Sequence, residues 1–377
     1  MRLGYDSKRL FRNFTGLGNY SRTTLWNLVA HYPDEAYHLY TPPFGENPVT
    51  TPFRTLANVD VHTAPFKSTA SLWRSYGVVR ELKRHRIELY HGLSHELPLG
   101  LQAAGIRSVV TVHDLIFRTH PQLYPLIDRT IYHLKTRYAC RTADRVVAIS
   151  EATKSQIVAE YGIPAEKIDV VYQSCDPLFF DDRTVDMARL RQRYTLPDRY
   201  LLFVGSITRR KNLEIVLEAY TQLDDRHRLP IIVVGRGSKH RAELERHRAF
   251  GTASPYLHWI DDLSDDLALK TLYRNATALI YPSLAEGFGL PVVEALLSRT
   301  PVITSDRSSL PEAGGPDSLY IDPTDAATVA TAVARLLDDP DLAQQMREKG
   351  YHYALNRFGP TATASSMMGV YRKILAR

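Results

Sequence analysis

Short apolar runs alternate with amphipathic stretches along the whole sequence, a pattern typical of parallel sheets whose strands are connected by helices. In the first half, strands are predicted at residues 2–6, 37–40, 59–62, 87–91, 108–112, 145–149 and 168–172. In the second half, strands are predicted at residues 200–204, 230–234, 256–260, 278–281, 302–304 and 319–321. Two similar sets of strands predict an α/β protein with two Rossmann-like domains.

A polar stretch with prolines and no strand character, residues 174–198, separates the two sets. We therefore predict an amino-terminal domain over residues 1–190 and a second domain over residues 191–358. After Asp322 the pattern is helical only. A break at Phe358, Gly359 and Pro360 precedes one more helix, so residues 359–377 form a terminal segment.

The composition is that of a globular protein, with 44% hydrophobic and 23% charged residues in a chain of 377. No apolar run approaches the ~18 residues that cross a bilayer, and the amino terminus lacks the hydrophobic segment of a signal peptide. Cys140 and Cys175 are too few for a disulfide framework or a zinc site. We therefore expect a cytoplasmic protein.

The net charge of +6 belongs to the first half, which has 25 basic and 19 acidic residues up to residue 196, against 22 of each afterwards. The basic residues are densest in residues 74–86, a predicted helix. Such a patch suits an anionic membrane surface, to which the protein would bind peripherally, or an acidic acceptor. The alternative is a solvated helix face. Nucleic acid is not favoured, since no binding motif accompanies the charge.

Polar loops follow several strands of the first half, where open parallel sheets bind their ligands. Gly16 and Gly18 follow the first strand, and they either allow close approach to a ligand or form a tight turn. His113 ends the fifth strand, where it either contacts a sugar hydroxyl or is a buried structural histidine. Ser150 resembles a helix cap, with contact to an acceptor as the alternative.

The stretch 283–297 after the strand at 278–281 contains more candidate ligand-binding groups than any other. It predicts a loop followed by an apolar helix that Pro291 opens. Helix amides and the positive end of the helix dipole favour an anion such as phosphate in this loop. Glu286 lies in the loop and Glu294 in the predicted first turn, so the two carboxylates address different parts of one ligand. The alternative is that Glu294 only complements the dipole and Glu286 is solvated.

A second loop, residues 205–212, carries three consecutive cations, Arg209, Arg210 and Lys211, at a predicted helix start. Cations oppose the dipole there unless an anion is present, which favours a diphosphate between this loop and the helix of Pro291. The alternative is three exposed basic residues on a turn. The strand ends near Gly235 and Ile260 either hold a nucleotide base through their backbone or form ordinary turns.

Taken together, these residues resemble the retaining glycosyltransferases of family 4, which have the GT-B fold. The resemblance covers nearly the whole chain, and the spacing of Glu286 and Glu294 matches the paired glutamates of the family. The matching segments are Thr15-Gly16-Leu17-Gly18, His113-Asp114-Leu115, Ile149-Ser150-Glu151, residues 205–212, Gly235-Arg236-Gly237, residues 282–291 and Glu294-Ala295.

The resemblance implies two domains facing across a cleft, a terminal helix that returns to the first domain, and a nucleoside-diphosphate sugar as donor. Arg210 and Lys211 would contact the diphosphate. The sugar and phosphate would be contacted by Glu286, Phe288, Gly289 and Leu290, and the ribose by Glu294. Other donor contacts would come from Gly205, Gly235 and Ile260. In the first domain, Gly16 or Gly18 would contact the phosphates and His113 would contact the sugar. Ser206 stands where many members of the family have arginine.

The implied reaction is transfer with retention to a glycan or lipid-linked acceptor in polysaccharide synthesis, with no metal or other cofactor because cations and helix amides stabilise the leaving diphosphate. GDP-mannose is the first donor to test, because the chain weakly resembles mannosyltransferases of surface-polysaccharide synthesis. The competing hypotheses are another GT-B enzyme, such as a sugar-nucleotide epimerase or a phosphorylase, and a non-catalytic nucleotide-binding protein.

Overall fold

The computed structural model describes residues 1–376, apart from the side chain of Ser238. The chain forms two compact units. The first consists of Met1–Asp176 and the segment that begins at Gly359, and the second of Pro177–Phe358.

The first unit contains a seven-stranded parallel sheet with the order β3-β2-β1-β4-β5-β6-β7. Strand order reverses between β1 and β4, so the loops after these strands meet at one edge. Its strands are β1 (Arg2–Asp6), β2 (Ala36–Thr41), β3 (Val59–Thr63), β4 (Leu89–Gly92), β5 (Arg107–Val112), β6 (Arg145–Ala148) and β7 (Ile168–Val170).

The second unit contains a six-stranded parallel sheet with the order β10-β9-β8-β11-β12-β13. Here the order reverses between β8 and β11, which makes the loops after these two strands neighbours. Its strands are β8 (Leu201–Val204), β9 (Ile231–Val234), β10 (Leu257–Ile260), β11 (Ala278–Tyr281), β12 (Val302–Ser305) and β13 (Leu319–Ile321).

Helices connect the strands in both units. Those of the first unit are α1 (Lys8–Arg12), α2 (Gly16–His31), α3 (Ala70–Leu72), α4 (Val78–Arg84), α5 (Ile116–Thr119), α6 (Leu126–Thr142) and α7 (Glu151–Tyr161). Those of the second are α8 (Met187–Tyr194), α9 (Leu213–Tyr220), α10 (Ser238–Leu244), α11 (Phe250–Ala253), α12 (Asp266–Asn275), α13 (Leu290–Leu297), α14 (Leu310–Gly314), α15 (Ala326–Asp338) and α16 (Pro340–Phe358). The last helix, α17 (Pro360–Leu375), belongs to the first unit.

All thirteen predicted strands are present, with ends that differ from the predicted ones by at most two residues. The strands are short, and those inside the sheets are the most buried, as in β8, β9 and β11, where every residue is buried. A parallel strand covered on both faces is apolar at successive positions, which made these strands recognisable in the sequence.

The first unit ends at Asp176 rather than at residue 190, because residues 177–194 pack on the second unit. The ammonium group of Lys270, on α12, donates to the Leu178 carbonyl at 2.7 Å and to the carboxylate of Asp181 at 3.0 Å. The Val185 amide donates to Thr271 Oγ1 at 3.0 Å. These contacts join residues distant in sequence.

The terminal helix α17 packs against α2 and the first sheet. His91 on β4 bonds to the buried hydroxyl of Tyr371, with 2.7 Å between His91 Nδ1 and the oxygen. At the other end of the contact, His31 Nε2 lies 3.0 Å from Thr361 Oγ1. None of the helices in residues 1–376 is both long enough and apolar enough to cross a membrane.

Candidate active site

The loop after β8 positions two basic side chains at the carboxyl end of the second sheet. Arg209–Lys211 form a 3₁₀ turn, and Asn212 follows in the left-handed conformation with φ of 58°. The Asn212 side-chain amide donates to the carbonyls of Pro282, at 3.2 Å, and Pro323, at 2.8 Å. These bonds fix the turn against the loop after β11, its neighbour at the point where the strand order reverses.

The loop after β11 carries Glu286, and side chains from another loop stabilise its main-chain conformation. The Glu286 amide donates to Ser308 Oγ at 3.0 Å. The hydroxyl of Ser309 donates to the carbonyls of Glu286 and Phe288, both at 2.9 Å. Both serines come from the loop after β12, so a third strand end helps to position the carboxylate.

The two loops meet at the carboxylate of Glu286. Its Oε1 atom lies 2.6 Å from Arg210 Nη1 and 2.6 Å from Lys211 Nζ. The same oxygen accepts hydrogen bonds from Ser283 Oγ at 2.6 Å and from the Tyr281 hydroxyl at 3.1 Å. Lys211 Nζ also bonds to the Tyr281 hydroxyl. The structure therefore brings together Arg210, Lys211 and Glu286, three residues for which a contact with the donor is predicted.

This cluster has two cations for one carboxylate, and the pKa directions reflect that excess. Burial by itself raises the pKa of Glu286, but the charges of Lys211 and Arg210 hold it down at about 2. Burial lowers the pKa of Lys211; Glu286 offsets part of that effect and the Arg210 charge adds to it. Both pKa values are therefore lowered: the two cations stabilise the ionised carboxylate, whereas burial, with the charge of Arg210 adding to it, destabilises the ammonium form. A bound phosphate would supply the missing negative charge.

Arg209 does not join this cluster, although it is adjacent in sequence. Its side chain is 72% exposed and pairs with Glu243 on α10 at 3.1 Å. The tight turn directs consecutive side chains to different sides. The structure therefore assigns Arg209 to the surface.

Glu294 lies in the middle of α13, so the prediction of a first-turn position was wrong. Its Oε2 atom accepts a hydrogen bond from the Tyr273 hydroxyl on α12 at 3.0 Å. Complementing the helix dipole does not explain a carboxylate at this position, since the effect fades within the first turn.

Three glycines of the second unit allow close contacts that a Cβ atom would block. At Gly205, with φ of 142°, an added Cβ would lie 3.3 Å from Lys211 Cε, so this glycine leaves room for the lysine side chain. At Gly235, with φ of 155°, it would lie 1.9 Å from the Gly205 carbonyl oxygen. At Gly289, with φ of 118°, it would lie 2.8 Å from Leu310 Cδ2.

The other predicted donor contacts of this unit surround the same loops. The carbonyl of Ile260 accepts from the Gly235 amide at 3.1 Å, so it extends the sheet at its edge. Phe288 is buried, and its ring packs edge-on against Phe358 at 5.2 Å between centroids. Leu290 is half-buried and begins α13. Contact of these residues with a donor stays a prediction.

The glycine loop of the first unit contains two glycines with different surroundings. A Cβ atom at Gly18 would lie 1.7 Å from the Asn13 carbonyl oxygen, so the turn into α2 requires glycine there. A Cβ atom at Gly16 would have nothing within 4 Å. A tight turn thus explains Gly18, while Gly16 is the glycine with open space around it.

His113 is buried in the first unit, directly after β5. Its Nε2 lies 2.9 Å from the carbonyl of Leu93, which can only accept, so the neutral ring carries its proton on Nε2. The ring of Tyr20 packs edge-on against it at 4.5 Å between centroids. Burial and the neighbouring His95 lower the pKa of His113 to about 3. His113 is therefore neutral near pH 7, and its predicted contact with the sugar stays a prediction.

Ser150 caps α7, because its hydroxyl accepts from the Thr153 amide at 3.0 Å. This confirms the helix-cap interpretation, while contact with an acceptor stays a prediction.

Sequence reasoning missed the side chains that position the two glutamates. Tyr281 and Ser283 flank Pro282 and were visible only as parts of a strand end and a loop. Tyr273 lies on another helix, 21 residues before Glu294, so no local pattern connects the two.

Comparison with known proteins identifies the chain. The model of the family described as Glycosyltransferase Family 4 matches residues 22–177, and the model described as Glycosyl transferases group 1 matches residues 186–353. The chain is 30% identical over 262 residues to O-antigen chain mannosyltransferase B of Escherichia coli, which covers 68% of this chain and 67% of that protein. The chain belongs to the family 4 glycosyltransferases.

The glycosyltransferase is also 29% identical over 234 residues to O-antigen chain mannosyltransferase RfbU of Salmonella typhimurium, covering 62% of this chain and 61% of that protein. Among solved structures it is similar to Anabaena Alr3699/HepE in complex with UDP, with a TM-score of 0.74, 18% identity, and coverage of 99% of this chain and 100% of that chain. The predicted family and the GT-B fold, with its two Rossmann-like domains, are confirmed.

Proposed function

We propose that this glycosyltransferase transfers mannose from GDP-mannose to a hydroxyl group of a surface glycan or its lipid-linked precursor, with retention at the anomeric carbon. The observation that carries the proposal is the pairing of Arg210 and Lys211 with Glu286 beside the start of α13. The choice of mannose is supported by the two relatives named as O-antigen mannosyltransferases.

In the proposed donor complex, Arg210 and Lys211 bind the diphosphate and the amides at the start of α13 face it. The bond between the anomeric carbon and the phosphate oxygen breaks, and its electron pair stays on the diphosphate. The placed cations lower the barrier by stabilising this leaving charge, so we propose no metal for the step. The acceptor oxygen then bonds to the anomeric carbon from the same face, and its proton passes to the leaving phosphate.

The two glutamates take separate roles in this proposal. Glu286 contacts the transferred sugar, for which its position among Ser283, Tyr281 and the two cations is fixed before binding. Glu294 accepts from the ribose hydroxyls, with Tyr273 holding the carboxylate in place. Both carboxylates act as positioned hydrogen-bond acceptors. Because they are eight residues apart in the chain, they contact different parts of the donor.

A cavity of about 500 Å³ in the first unit is a candidate site for the acceptor. Phe11 and Phe44 stack at its wall with 4.2 Å between ring centroids. Phe14, Arg12 and Lys67 also line it. Aromatic faces suit the apolar faces of sugar rings. The two cations outnumber the one acidic residue in the lining, Glu46, and suit a phosphate on a lipid-linked acceptor.

The basic segment predicted for membrane contact is only partly available at the surface. Trp73 is buried and donates to Glu81 at 2.7 Å. Arg74 forms a buried ion pair with Asp6, with 3.0 Å between Arg74 Nε and Asp6 Oδ2. The segment also begins with a π-turn, Trp73–Gly77, and continues as α4. These contacts stabilise the first unit, so Arg74 is not available to a membrane surface.

Helix α6 offers a better surface for an anionic membrane. Leu126, Ile127, Ile131 and Leu134 on this helix are 67%, 74%, 44% and 59% exposed. The same helix carries four basic residues, Arg129, Lys135, Arg137 and Arg141, and one acidic residue, Asp128. Apolar side chains bordered by cations favour the interface of an anionic bilayer. We propose that α6 holds the enzyme on the membrane that carries its acceptor.

We expect the double variant Ile127→Ser with Leu134→Ser to bind anionic vesicles about 30-fold more weakly than the wild type, because partial burial of each side chain contributes about 1 kcal/mol. Co-sedimentation with vesicles of anionic and of neutral lipids measures this. Val158→Ser, which removes an exposed apolar residue on α7, is the control and should bind normally. Equal binding of the double variant, or no binding by the wild type at low salt, would rule out the surface.

A donor screen tests the proposed function. At a concentration of about 100 Kd, a nucleotide stabilises the folded protein by about 2.7 kcal/mol. When all nucleotides are compared at one concentration, GDP should raise the melting temperature more than UDP or ADP, because the proposal gives GDP the lowest Kd. GDP-mannose should then yield a mannosylated acceptor, while incubation without acceptor should leave the sugar unepimerised. Stabilisation by no nucleotide would refute the function. A larger effect of UDP would refute GDP-mannose, and conversion of the free donor to its epimer would favour an epimerase.

A further inference from the structure

A histidine cluster lies on one face of the two strands at an edge of the first sheet. His38 on β2 pairs in register with Asp60 on β3, and Tyr40 pairs with His62. Since residues two apart on a strand share a face, all four side chains point to the same side. His85, at the end of α4, stacks on His62 with 4.2 Å between ring centroids. The cluster shares no residue with the donor site.

The donor atoms in this cluster have the spacing of metal ligands. His38 Nδ1 lies 3.1 Å from His62 Nε2 and 3.5 Å from Asp60 Oδ2. Metal–nitrogen and metal–oxygen bonds of 2.0–2.1 Å in a tetrahedral site place neighbouring ligand atoms about 3.3 Å apart. All three donor atoms lie within 4.8 Å of one another. Asp60 is 70% exposed, so its carboxylate can rotate to complete the set.

We propose that His38 Nδ1, His62 Nε2 and Asp60 bind one divalent transition-metal cation of the Zn²⁺ type, with water in the remaining position. Two imidazoles and one carboxylate suit Zn²⁺, Co²⁺ or Ni²⁺, whereas Mg²⁺ and Ca²⁺ require oxygen ligands throughout.

His38 is buried and His62 is half-buried. Burial lowers the pKa of His62 to about 4, with His85 and His38 adding to the effect, and burial also lowers the pKa of His38. Asp60 contributes the negative charge that offsets Arg2 and Arg84, whose charges also act on these histidines.

The proposed metal has a structural role. It connects β3, which is paired on one side only within the sheet, to β2 through side chains as well as through the backbone. Binding to the folded state alone stabilises it by mass action, so the metal should protect this edge against unfolding.

Titration of the tag-free full-length chain with Zn²⁺ tests the site by calorimetry, and Co²⁺ reports ligand geometry by its absorption spectrum. We expect saturation at one metal per chain and a Co²⁺ spectrum of the tetrahedral type. His62→Ala and Asp60→Asn should each weaken binding at least ~10-fold, as even outer ligand partners do.

His120→Ala is the matched control, since His120 belongs to the same unit but its side chain bonds only to its neighbour Thr119 among the side-chain hydrogen bonds found in residues 1–376. It should bind the metal normally. Circular dichroism of each variant without metal establishes that it is folded. Absence of saturable binding, unchanged binding by folded His62→Ala, or an equal loss in His120→Ala would overturn the proposal and leave the 3.1 Å contact as a hydrogen bond between two histidines.

Discussion

Replacement of Lys211 by alanine should lower the rate of sugar transfer by about 10²–10³-fold, the usual cost of removing one placed group that stabilises a developing negative charge. Lys211 is buried and contacts Glu286 at 2.6 Å, so alanine removes a positioned positive charge from the site. The fold should persist, because Glu286 keeps its contacts with Arg210, Ser283 and Tyr281. Single-turnover kinetics with the donor identified in the screen measures the effect.

Arg209→Ala is the matched control for this prediction. It removes a cation from the same turn, but one that is 72% exposed and paired with Glu243. We expect Arg209→Ala to retain transfer within a factor of about two, since exposed ion pairs contribute little. Near-normal transfer by Lys211→Ala, or an equal loss in both variants, would contradict the assigned role of Lys211.

Replacement of Gly235 by alanine should destabilise the second unit by about 3 kcal/mol or more, through a steric clash and an unfavourable backbone conformation. The added Cβ would lie 1.9 Å from the backbone oxygen of Gly205, where only a shift of the main chain relieves the contact. Because Gly205 in turn borders Lys211, donor binding should weaken as well. Thermal unfolding should show a decrease in melting temperature of about 6–12 °C.

Gly251→Ala provides the comparison in the same unit. An added Cβ has nothing within 4 Å there, and the residue lies in α11. Alanine in a helix is more stable than glycine by about 0.5–1 kcal/mol, so this variant should melt slightly above the wild type. A Gly235→Ala protein that melts with the wild type would show that the close approach of the two strand ends is not required.

Predictions from the sequence succeeded where a feature depends on neighbours along the chain. Buried parallel strands are apolar at successive positions, so each strand could be placed within two residues. The cap at Ser150 depends on an amide three residues away, and it was predicted correctly.

Predictions from the sequence were incomplete where a feature depends on residues that are distant in the chain. The boundary at Asp176 depends on Lys270, whose ammonium group binds main-chain and side-chain oxygens about ninety residues earlier in the chain. The position of Glu294 depends on where α13 begins, and its partner Tyr273 lies on a different helix. Neither contact leaves a periodic signal in the sequence.

Local patterns were sufficient to predict the two sets of strands, the family, and the loops that carry the basic and acidic residues of the donor site. The folded domain was needed to show which cations face the carboxylate: Arg210 and Lys211 contact Glu286, while Arg209 points to Glu243. This difference arises because adjacent residues on a tight turn project in different directions. The partner of each is set by which strand ends become neighbours in the sheet, and that order is a property of the whole domain.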